Sequence, residues 1–390
     1  MTEKIGLRAP IIAGLVASIT GTAATVGIFL SAYLNLGATK EQSIAAVSIM
    51  LVAYGLLSIV LSWKYKMPLS IVWCTPGAAL IAGSSLPGLG FSNAMGGVLL
   101  AGLLLALTGL WPALGALVGK IPKSVASAML AGVIFSFCVA PFAASASYPQ
   151  LVLPVIAVWL ILFWLYPVWA SPAAIVLAFT LIGLDRGLQL TSSDWLITPG
   201  IVLPSFSIAS VLSIALPLYL VAMASQNIPG IAIMKNYGYE VPFKASLTTT
   251  GLGTVAVSFL GGFVMNLAAI TAALNANEQA HKDPRKRWLA SVAGGAVYIL
   301  FALVAGIAVA FVYQTPQQLL LAASGLALLP TIVNAFSTMV EIPSERIAAV
   351  SAFLVASSGV IFFSIGAAFW AILTGLLVMQ LLKLKRPFAK

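Results

Sequence analysis

Long apolar segments separated by short polar ones fill this chain from residue 10 to residue 383. A helix needs about 20 apolar residues to cross the hydrocarbon core of a bilayer, with a range near 17–25. On this criterion the sequence predicts an all-α polytopic membrane protein with fourteen spans. The predicted spans are residues 10–34, 42–63, 68–84, 92–118, 122–142, 150–167, 169–187, 208–230, 243–259, 261–277, 287–312, 316–334, 346–364 and 366–383.

The third predicted span is short, and Thr75, Pro76 and Gly77 interrupt it near its middle. Residues 69–73 before this trio favour extended backbone. Thr75 suits the N-cap of a helix, and Pro76 suits the first helical turn, where its missing N–H costs nothing. The segment therefore predicts a short strand followed by a half-helix that starts near the bilayer midplane.

The tenth predicted span is interrupted at the corresponding place in the second half of the chain. Gly261 and Gly262 loosen its start, residues 263–265 suit extended backbone, and Asn266 can cap a helix that begins at Leu267. Paired broken spans are typical of binding sites in secondary transporters, because irregular backbone at membrane depth is tolerated where it lines a cavity. Two helix N-termini facing each other would attract an anion. The alternative is that each break is only a kink or an interhelical contact.

A third polar cluster lies in the eighth predicted span, where Ser225, Gln226 and Asn227 are consecutive and precede Pro229 and Gly230. Consecutive residues point to different sides of a helix. Polar side chains within a span often only join helices to one another. A run of three predicts that at least one of them faces a cavity.

Composition supports a membrane protein. Of the 390 residues 61% are hydrophobic and 7% are charged, whereas about 25% are charged in a soluble domain. The first apolar segment exceeds the roughly 7–15 residues of a signal-peptide core, so we interpret it as a span of the mature protein. The two cysteines, Cys74 and Cys138, lie in apolar segments and predict no disulfide framework.

The charges predict the orientation of the chain. With fourteen spans both termini lie on one side, and that side holds 17 of the 19 Lys and Arg residues, the exceptions being Lys40 and Arg186. Cytoplasmic loops carry the excess of Lys and Arg, so both termini are predicted to be cytoplasmic. This asymmetry accounts for the net charge of +10 without a nucleic-acid partner.

Fourteen spans divide into two sets of seven, which enter the membrane with opposite orientations. This is the arrangement of inverted repeats. The predicted repeats are residues 1–190 and 205–390, and the polar segment 185–205 separates them on the outer face.

Four motifs carry a resemblance to a known family. They are TPGAAL at 75–80, ALPLYLVAMASQNIPGIAIMK at 215–235, AAITAAL at 268–274 and SGLALL at 324–329. On these motifs the chain resembles the benzoate/proton symporter (BenE) family along its full length. That family looks like a branch of the seven-plus-seven inverted-repeat fold shared with nucleobase and sulfate-type anion carriers.

The resemblance implies import of benzoate or a similar aromatic carboxylate, together with a proton, across a bacterial inner membrane. It implies no cofactor and no metal. It also implies a core domain of residues 10–118 and 208–312 and a gate domain of residues 122–187 and 316–383. Movement of the core against the gate would give alternating access, often within a homodimer.

The resemblance also implies a substrate site between the broken spans and the eighth span. Relatives that carry uracil place acidic residues in the eighth and tenth spans, where this chain has neutral ones, and neutral amides accept an anion more readily than carboxylates do. The implied binding residues are Thr75, Pro76, Gly77, Ala78, Ser225, Gln226, Asn227, Met265 and Asn266, with Trp73 and Phe263 as apolar walls for the ring.

Proton coupling usually depends on acidic or His residues within the membrane. All nine acidic residues of this chain lie at predicted span ends or in loops, and the single histidine, His281, is expected to be solvated in a basic loop. Two hypotheses remain open. The carboxylate of the substrate carries the proton, or Glu278 relays it at the inner mouth.

Other classes of protein are less compatible with the sequence. An enzyme needs a nucleophile with a base, or a metal with its ligands, and the chain has one histidine, in a loop, and no acidic residue at membrane depth for such a site. A carrier of a nucleobase or inorganic anion and an anion channel remain alternatives.

Overall fold

The computed structural model describes residues 8–84, 89–111, 113–115, 121–187, 190, 191, 194, 200–315 and 317–384. Residues 116–118 of the fourth predicted span, residue 316 of the twelfth and much of the segment 185–205 lie outside the described residues.

The described chain is helical apart from two three-residue strands. The first half contains α1 (Arg8–Asn35), α2 (Lys40–Tyr65), β1 (Ile71–Trp73), α3 (Thr75–Gly83), α4 (Phe91–Leu110), α5 (Lys123–Ser147), α6 (Pro149–Leu165) and α7 (Pro167–Arg186). The second half contains α8 (Ile208–Asn236), α9 (Phe243–Ser258), β2 (Met265–Leu267), α10 (Ile270–Ala276), α11 (Trp288–Ala302), α12 (Ala305–Gln314), α13 (Gln317–Val340), α14 (Arg346–Ser357) and α15 (Ala367–Lys383).

Each of the fourteen predicted spans has a counterpart among these elements, and the predicted all-α membrane class with short strands in the third and tenth spans is confirmed. By length and composition alone, fewer of these elements could cross a membrane. Within the described residues six helices are long and apolar enough to cross a membrane, or eight when two bent helix pairs are each taken as one span. Among the other elements, α6, α9 and α15 are continuous but only 16–17 residues long, and the third and tenth spans are broken.

Helix packing shows the inverted repeat directly. Each span of the first repeat corresponds to the span seven places later in the chain. Spans 2 and 4 therefore correspond to spans 9 and 11, so a contact between spans 2 and 11 should have a counterpart between spans 9 and 4. Helix α2 packs along α11, and α4 packs along α9. In the same way, α6 packs against α7, and α14 packs against α15. The contacts of one half therefore recur in the other.

Glycine pairs allow both of these long contacts. A Cβ atom placed on Gly55 in α2 would lie 2.7 Å from the carbonyl oxygen of Gly295 in α11. A Cβ atom placed on Gly251 in α9 would lie 2.6 Å from the carbonyl oxygen of Gly102 in α4. Small residues at such crossings let two helix backbones approach closely, which is the usual basis of helix association in a membrane.

The two strands meet in the interior of the protein. β1 and β2 are antiparallel, with Ile71 opposite Leu267 and Trp73 opposite Met265. Two further hydrogen bonds extend the pairing, from Cys74 N–H to the Val264 carbonyl and from Ala268 N–H to the Ser70 carbonyl, each 2.9 Å. The broken third and tenth spans are therefore joined through their backbones.

Two of the predicted helix caps are wrong. Cys74, rather than Thr75, is the N-cap of α3, although Pro76 lies in the first turn as predicted. Asn266 does not cap a helix at Leu267, because both residues belong to β2 and α10 begins only at Ile270. Pairing with β1 keeps Asn266 and Leu267 extended, and the helix begins three residues later than the sequence suggested.

The prediction of a solvated His281 is also wrong, since its side chain is buried. The loop after α10 folds around Arg287, whose Nε donates to the His281 carbonyl and whose Nη1 donates to the Ala276 carbonyl, both at 2.7 Å. Arg287 thus supplies one donor to the last turn of α10, where carbonyl groups lack helical partners, and another to the loop that follows.

The α4–α9 crossing provides a test of this packing. Gly251→Ala would place a methyl group 2.3 Å from the backbone nitrogen of Ala106, so a helix must shift. Overpacking of this kind costs about 1–3 kcal/mol. We expect a lower melting temperature for the purified protein in detergent.

Gly183→Ala in α7 is the matched control, because its new methyl group meets only a Phe311 ring carbon at an ordinary 3.7 Å. We expect its melting temperature to equal or exceed that of the unmodified protein. Equal melting temperatures for the two variants would contradict the close crossing.

Candidate functional site

A cavity of about 520 Å³ lies between two groups of helices. We call its two sides the α8 wall and the α13 wall. The α8 wall consists of Pro76 in α3, Leu220, Val221, Ala224, Ser225, Gln226, Pro229 and Ile233 in α8, and Ala269, Ala273 and Leu274 at α10. The α13 wall consists of Ala126, Ser127, Met129 and Leu130 in α5 and Thr331, Asn334, Ala335 and Thr338 in α13.

The conformation of α8 places its polar cluster at the cavity. Residues Val211–Ala215 and Ala222–Asn227 are π-helical, with wider turns than an α-helix. Short π-helical segments occur mostly at functional sites. Within the second of them Ser225 and Gln226 line the cavity, whereas Asn227 is fully buried on the other side.

Asn227 holds the second strand in place. Its Oδ1 accepts a hydrogen bond of 3.0 Å from the Leu267 N–H, and its Nδ2 donates to the Ala222 carbonyl at 3.1 Å. The first bond satisfies a strand N–H that does not face β1. Asn227 is therefore a structural link between α8 and β2, and it does not line the cavity.

Gln226 has a fixed orientation at the cavity. Its Oε1 accepts a hydrogen bond of 3.4 Å from the N–H of Ala269, the residue that precedes α10. The Oε1 and Nε2 positions of the amide are assigned from this contact. With the oxygen engaged, the Nε2 group is available as a hydrogen-bond donor to a bound molecule.

Ser225 has the complementary role. Its hydroxyl donates to the Val221 carbonyl in the preceding turn, with an Oγ–O distance of 2.6 Å. Since the hydroxyl hydrogen is engaged, the remaining lone pairs of Oγ are available as acceptors. The α8 wall thus presents a donor and an acceptor on adjacent residues.

The start of α3 contributes one residue to the cavity. Pro76 lines it, whereas Thr75, Gly77 and Ala78 do not. Gly77 packs against α8 instead, because a Cβ atom there would lie 2.8 Å from a methyl carbon of Leu218. This contact fixes the first turn of α3 against the helix that carries the polar cluster.

The aromatic residues predicted as walls pack in the interior. Trp73 stacks on Phe29 with ring centroids 4.3 Å apart, and its Nε1 donates to the Thr25 hydroxyl at 2.9 Å. Phe263 packs edge-on against the same Phe29 ring at 5.6 Å. Both predicted aromatic residues therefore join a buried cluster around α1.

Met265 and Asn266 are also fully buried and lie on β2, away from the cavity lining. The Asn266 Nδ2 donates to the neighbouring Leu267 carbonyl at 3.0 Å. Of the residues predicted for the site, the structure thus brings Pro76, Ser225 and Gln226 to the cavity.

None of the residues described along the cavity carries a charge. Glu278 is exposed and follows the last residue of α10 by two positions, outside the lining. An isolated ion is costly to hold where no opposite charge compensates for the loss of water. The chemistry of this cavity is therefore that of hydrogen bonds and apolar contacts.

Sequence reasoning missed the polar residues of the α13 wall. Thr331, Asn334 and Thr338 follow one another at intervals of three and four residues, which places them on one face of α13. That spacing was a usable signal for a polar face in the second half of the helix.

A family model described as "BenE: Benzoate membrane transport protein" matches residues 7–381. The chain belongs to the BenE family. It is therefore a multi-pass membrane protein of a transport family and not an enzyme.

Two curated relatives of this BenE-family chain match it over nearly its whole length. "Inner membrane protein YdcO" of Escherichia coli (strain K12) is 35% identical over 366 residues, which are 94% of this chain and 93% of that protein. "Benzoate membrane transport protein" of Acinetobacter baylyi (strain ATCC 33305 / BD413 / ADP1) is 30% identical over 376 residues, 95% of this chain and 94% of that protein.

Solved structures show that the BenE-family fold is shared with anion transporters. The transmembrane domain of the cyanobacterial bicarbonate transporter BicA matches with a TM-score of 0.57 and 16% identity, over 99% of this chain and 98% of that one. SLC26A9 matches with a TM-score of 0.63 and 13% identity, over 97% of this chain and 66% of that one. At these identities the likeness concerns the fold alone.

The different roles of adjacent residues in α8 can be tested. Asn227→Ala removes the acceptor of the buried Leu267 N–H, and an unsatisfied buried group costs about 1–3 kcal/mol. We expect a clearly lower melting temperature. Ser225→Ala is the matched control, because its hydroxyl bonds only within its own helix, and we expect little change. Similar losses in both variants would contradict the structural role of Asn227.

Proposed function

We propose that this BenE-family chain carries benzoate or a similar aromatic carboxylate through the cavity between α8 and α13. The observation that supports this most strongly is the polar pair on the α8 wall, in which Gln226 offers a donor and Ser225 an acceptor within an otherwise largely apolar surface. If the carboxyl group of the substrate binds there, the aromatic ring would pack against the apolar side chains.

The size of the cavity agrees with this substrate. An engineered apolar cavity of about 150 Å³ is sufficient to bind benzene. The cavity of about 520 Å³ therefore has room for an aromatic ring, its carboxyl group and further atoms. Natural small-molecule sites cover a similar range of about 300–1,000 Å³.

The proton is proposed to travel on the substrate. A neutral carboxyl group has one O–H donor and one carbonyl acceptor, which match the acceptor of Ser225 and the donor of Gln226. Among the described residues of the lining there is no cation to compensate for the charge of a carboxylate. Glu278 as a proton relay is the alternative, and its exposed position beyond α10 gives that role less support.

Alternating access would move the proposed core, residues 10–118 and 208–312, against the proposed gate, residues 122–187 and 316–383. The cavity lies between helices assigned to these two domains. Within the proposed gate α5 packs against α13, α14 and α15. The proposed cellular location is a bacterial inner membrane with both termini in the cytoplasm, and a homodimer remains part of the proposal.

Counterflow in liposomes tests the substrate. Purified protein is reconstituted, vesicles are loaded with unlabelled benzoate, and entry of trace labelled benzoate is followed without a pH gradient. Protein-free vesicles measure the leak of neutral benzoic acid through lipid. We expect a saturable overshoot above this leak that excess benzoate abolishes and uracil, sulfate and bicarbonate do not.

Gln226→Leu links the overshoot to the cavity. The variant loses one hydrogen bond to the carboxyl group, so the half-saturating benzoate concentration should rise roughly five- to tenfold. Gln380→Leu, the same change at an exposed position of α15, should leave it unaltered. An absent overshoot from folded, unmodified protein would exclude benzoate and favour one of the other anions.

Glu278→Gln separates the two proton hypotheses. If the substrate carries the proton, uptake of labelled benzoate driven by an inwardly directed proton gradient should be unchanged, after subtraction of the protein-free leak. Glu341→Gln, at another exposed acidic residue, is the control. Loss of gradient-driven uptake in the first variant alone, with counterflow retained, would establish the relay instead.

A further inference from the structure

The α13 wall carries polar groups that the protein itself leaves unused. Four polar residues line the cavity on this side: Ser127, Thr331, Asn334 and Thr338. Within the described part of the chain, none of their side chains forms a hydrogen bond with another protein group. The α8 wall differs, because Ser225 and Gln226 are each bonded to a backbone group.

Several hydroxyl groups on the helices bond within their own helix. Thr108, Thr250 and Thr254 each donate to a carbonyl of the preceding turn at 2.7–2.9 Å. Ser337, which neighbours Thr338 on α13, does the same with the Val333 carbonyl at 3.0 Å. Ser and Thr side chains can bond to a carbonyl of the preceding turn in this way, whereas the buried hydroxyls of Thr22, Ser246, Thr248 and Ser324 have no partner in the described structure.

The polar side chains of the α13 wall are half-buried or exposed, so they can bond to a molecule in the cavity. We infer that the α13 wall, with Asn334 at its centre, binds a second polar group of the substrate, so that a ring-hydroxylated benzoate is bound in preference to benzoate. The inference rests on the proposed function and adds the substrate class to it.

The chemistry of the two walls supports this assignment. If Gln226 and Ser225 hold the carboxyl group on the α8 wall, the far edge of the ring points across the cavity toward α13. A phenolic hydroxyl there both donates and accepts, and the amide of Asn334 offers both an acceptor and a donor. A site that hydrogen-bonds a substrate hydroxyl discriminates against analogues that lack it, because its own polar groups then remain unpaired.

The available volume allows the extra group. The cavity of about 520 Å³ exceeds what a single ring with one carboxyl group requires. Water would otherwise fill the space beside Thr331, Asn334 and Thr338, and a hydration role is thus the alternative that the experiment must separate from ligand binding.

Competition in the counterflow assay tests the inference. Labelled benzoate is the tracer, and the competitors are 4-hydroxybenzoate, 3-hydroxybenzoate and 4-methylbenzoate. The methyl group has nearly the size of a hydroxyl but forms no hydrogen bond. We expect at least one hydroxybenzoate to inhibit at a concentration roughly five- to tenfold below that of 4-methylbenzoate.

Asn334→Leu should abolish that advantage, so that in this variant the hydroxybenzoates and 4-methylbenzoate inhibit its own benzoate counterflow at similar concentrations. Ser337→Ala, on the same helix but away from the cavity lining, is the matched control and should preserve the advantage. If Asn334→Leu does not fold, the nearly isosteric double variant Thr331→Val with Thr338→Val replaces it, and the advantage should then shrink by at least twofold.

The outcomes separate this inference from the proposed function. Benzoate counterflow with no preference for a hydroxyl group would overturn the inference. Thr331, Asn334 and Thr338 would then form a hydrated surface. A preference for the hydroxybenzoate that survives in both Asn334→Leu and the threonine double variant would also overturn it, since residues outside the α13 wall would then bind the hydroxyl group. No counterflow with any aromatic acid, from folded protein, would overturn the proposed function itself.

Discussion

The requirement that every backbone polar group find a partner away from water determines this architecture. A two-stranded sheet satisfies only its inner edges, and here no third strand lies beside either outer edge within the described chain. Side chains from three helices complete the pairing instead. Ser58 in α2 bonds both the N–H and the carbonyl of Ile71, Thr254 in α9 accepts from the Met265 N–H, and Asn227 in α8 accepts from the Leu267 N–H. The strands thereby fix the helices around them.

The same constraint positions the candidate site. Because Asn227 must face β2, its neighbours Ser225 and Gln226 must face elsewhere, and the π-helical turn directs them to the cavity. Gln226 then bonds to the backbone just before α10, so the amide that faces the cavity is also held by the broken span. In α8, Asn227 thus stabilises the fold, and the two residues before it line the cavity.

The sequence predicted the breaks well because their causes are local. Pro76 cannot continue a helix from the preceding residues, and Gly261 with Gly262 weakens helix at the corresponding place, so both strands were predictable. The end of β2 was not, because it depends on pairing with β1 almost two hundred residues earlier. Trp73 and Phe263 were assigned to the cavity, and only the tertiary structure shows that Phe29 occupies the space between their rings. Hydrophobicity alone does not distinguish a core side chain from a cavity wall.

The two walls of the cavity differ in a way that suits a carrier. On the α8 wall the polar groups are held by bonds to backbone, so they present a fixed donor and acceptor whether or not a molecule is bound. On the α13 wall they have no protein partner among the described residues, so they are open to water or to a bound molecule. Water-mediated and direct hydrogen bonds are of similar strength, so such an exchange costs little free energy in either direction. A wall of this kind can form contacts with a bound molecule and release them again, which a carrier requires of one side of its site but not of both.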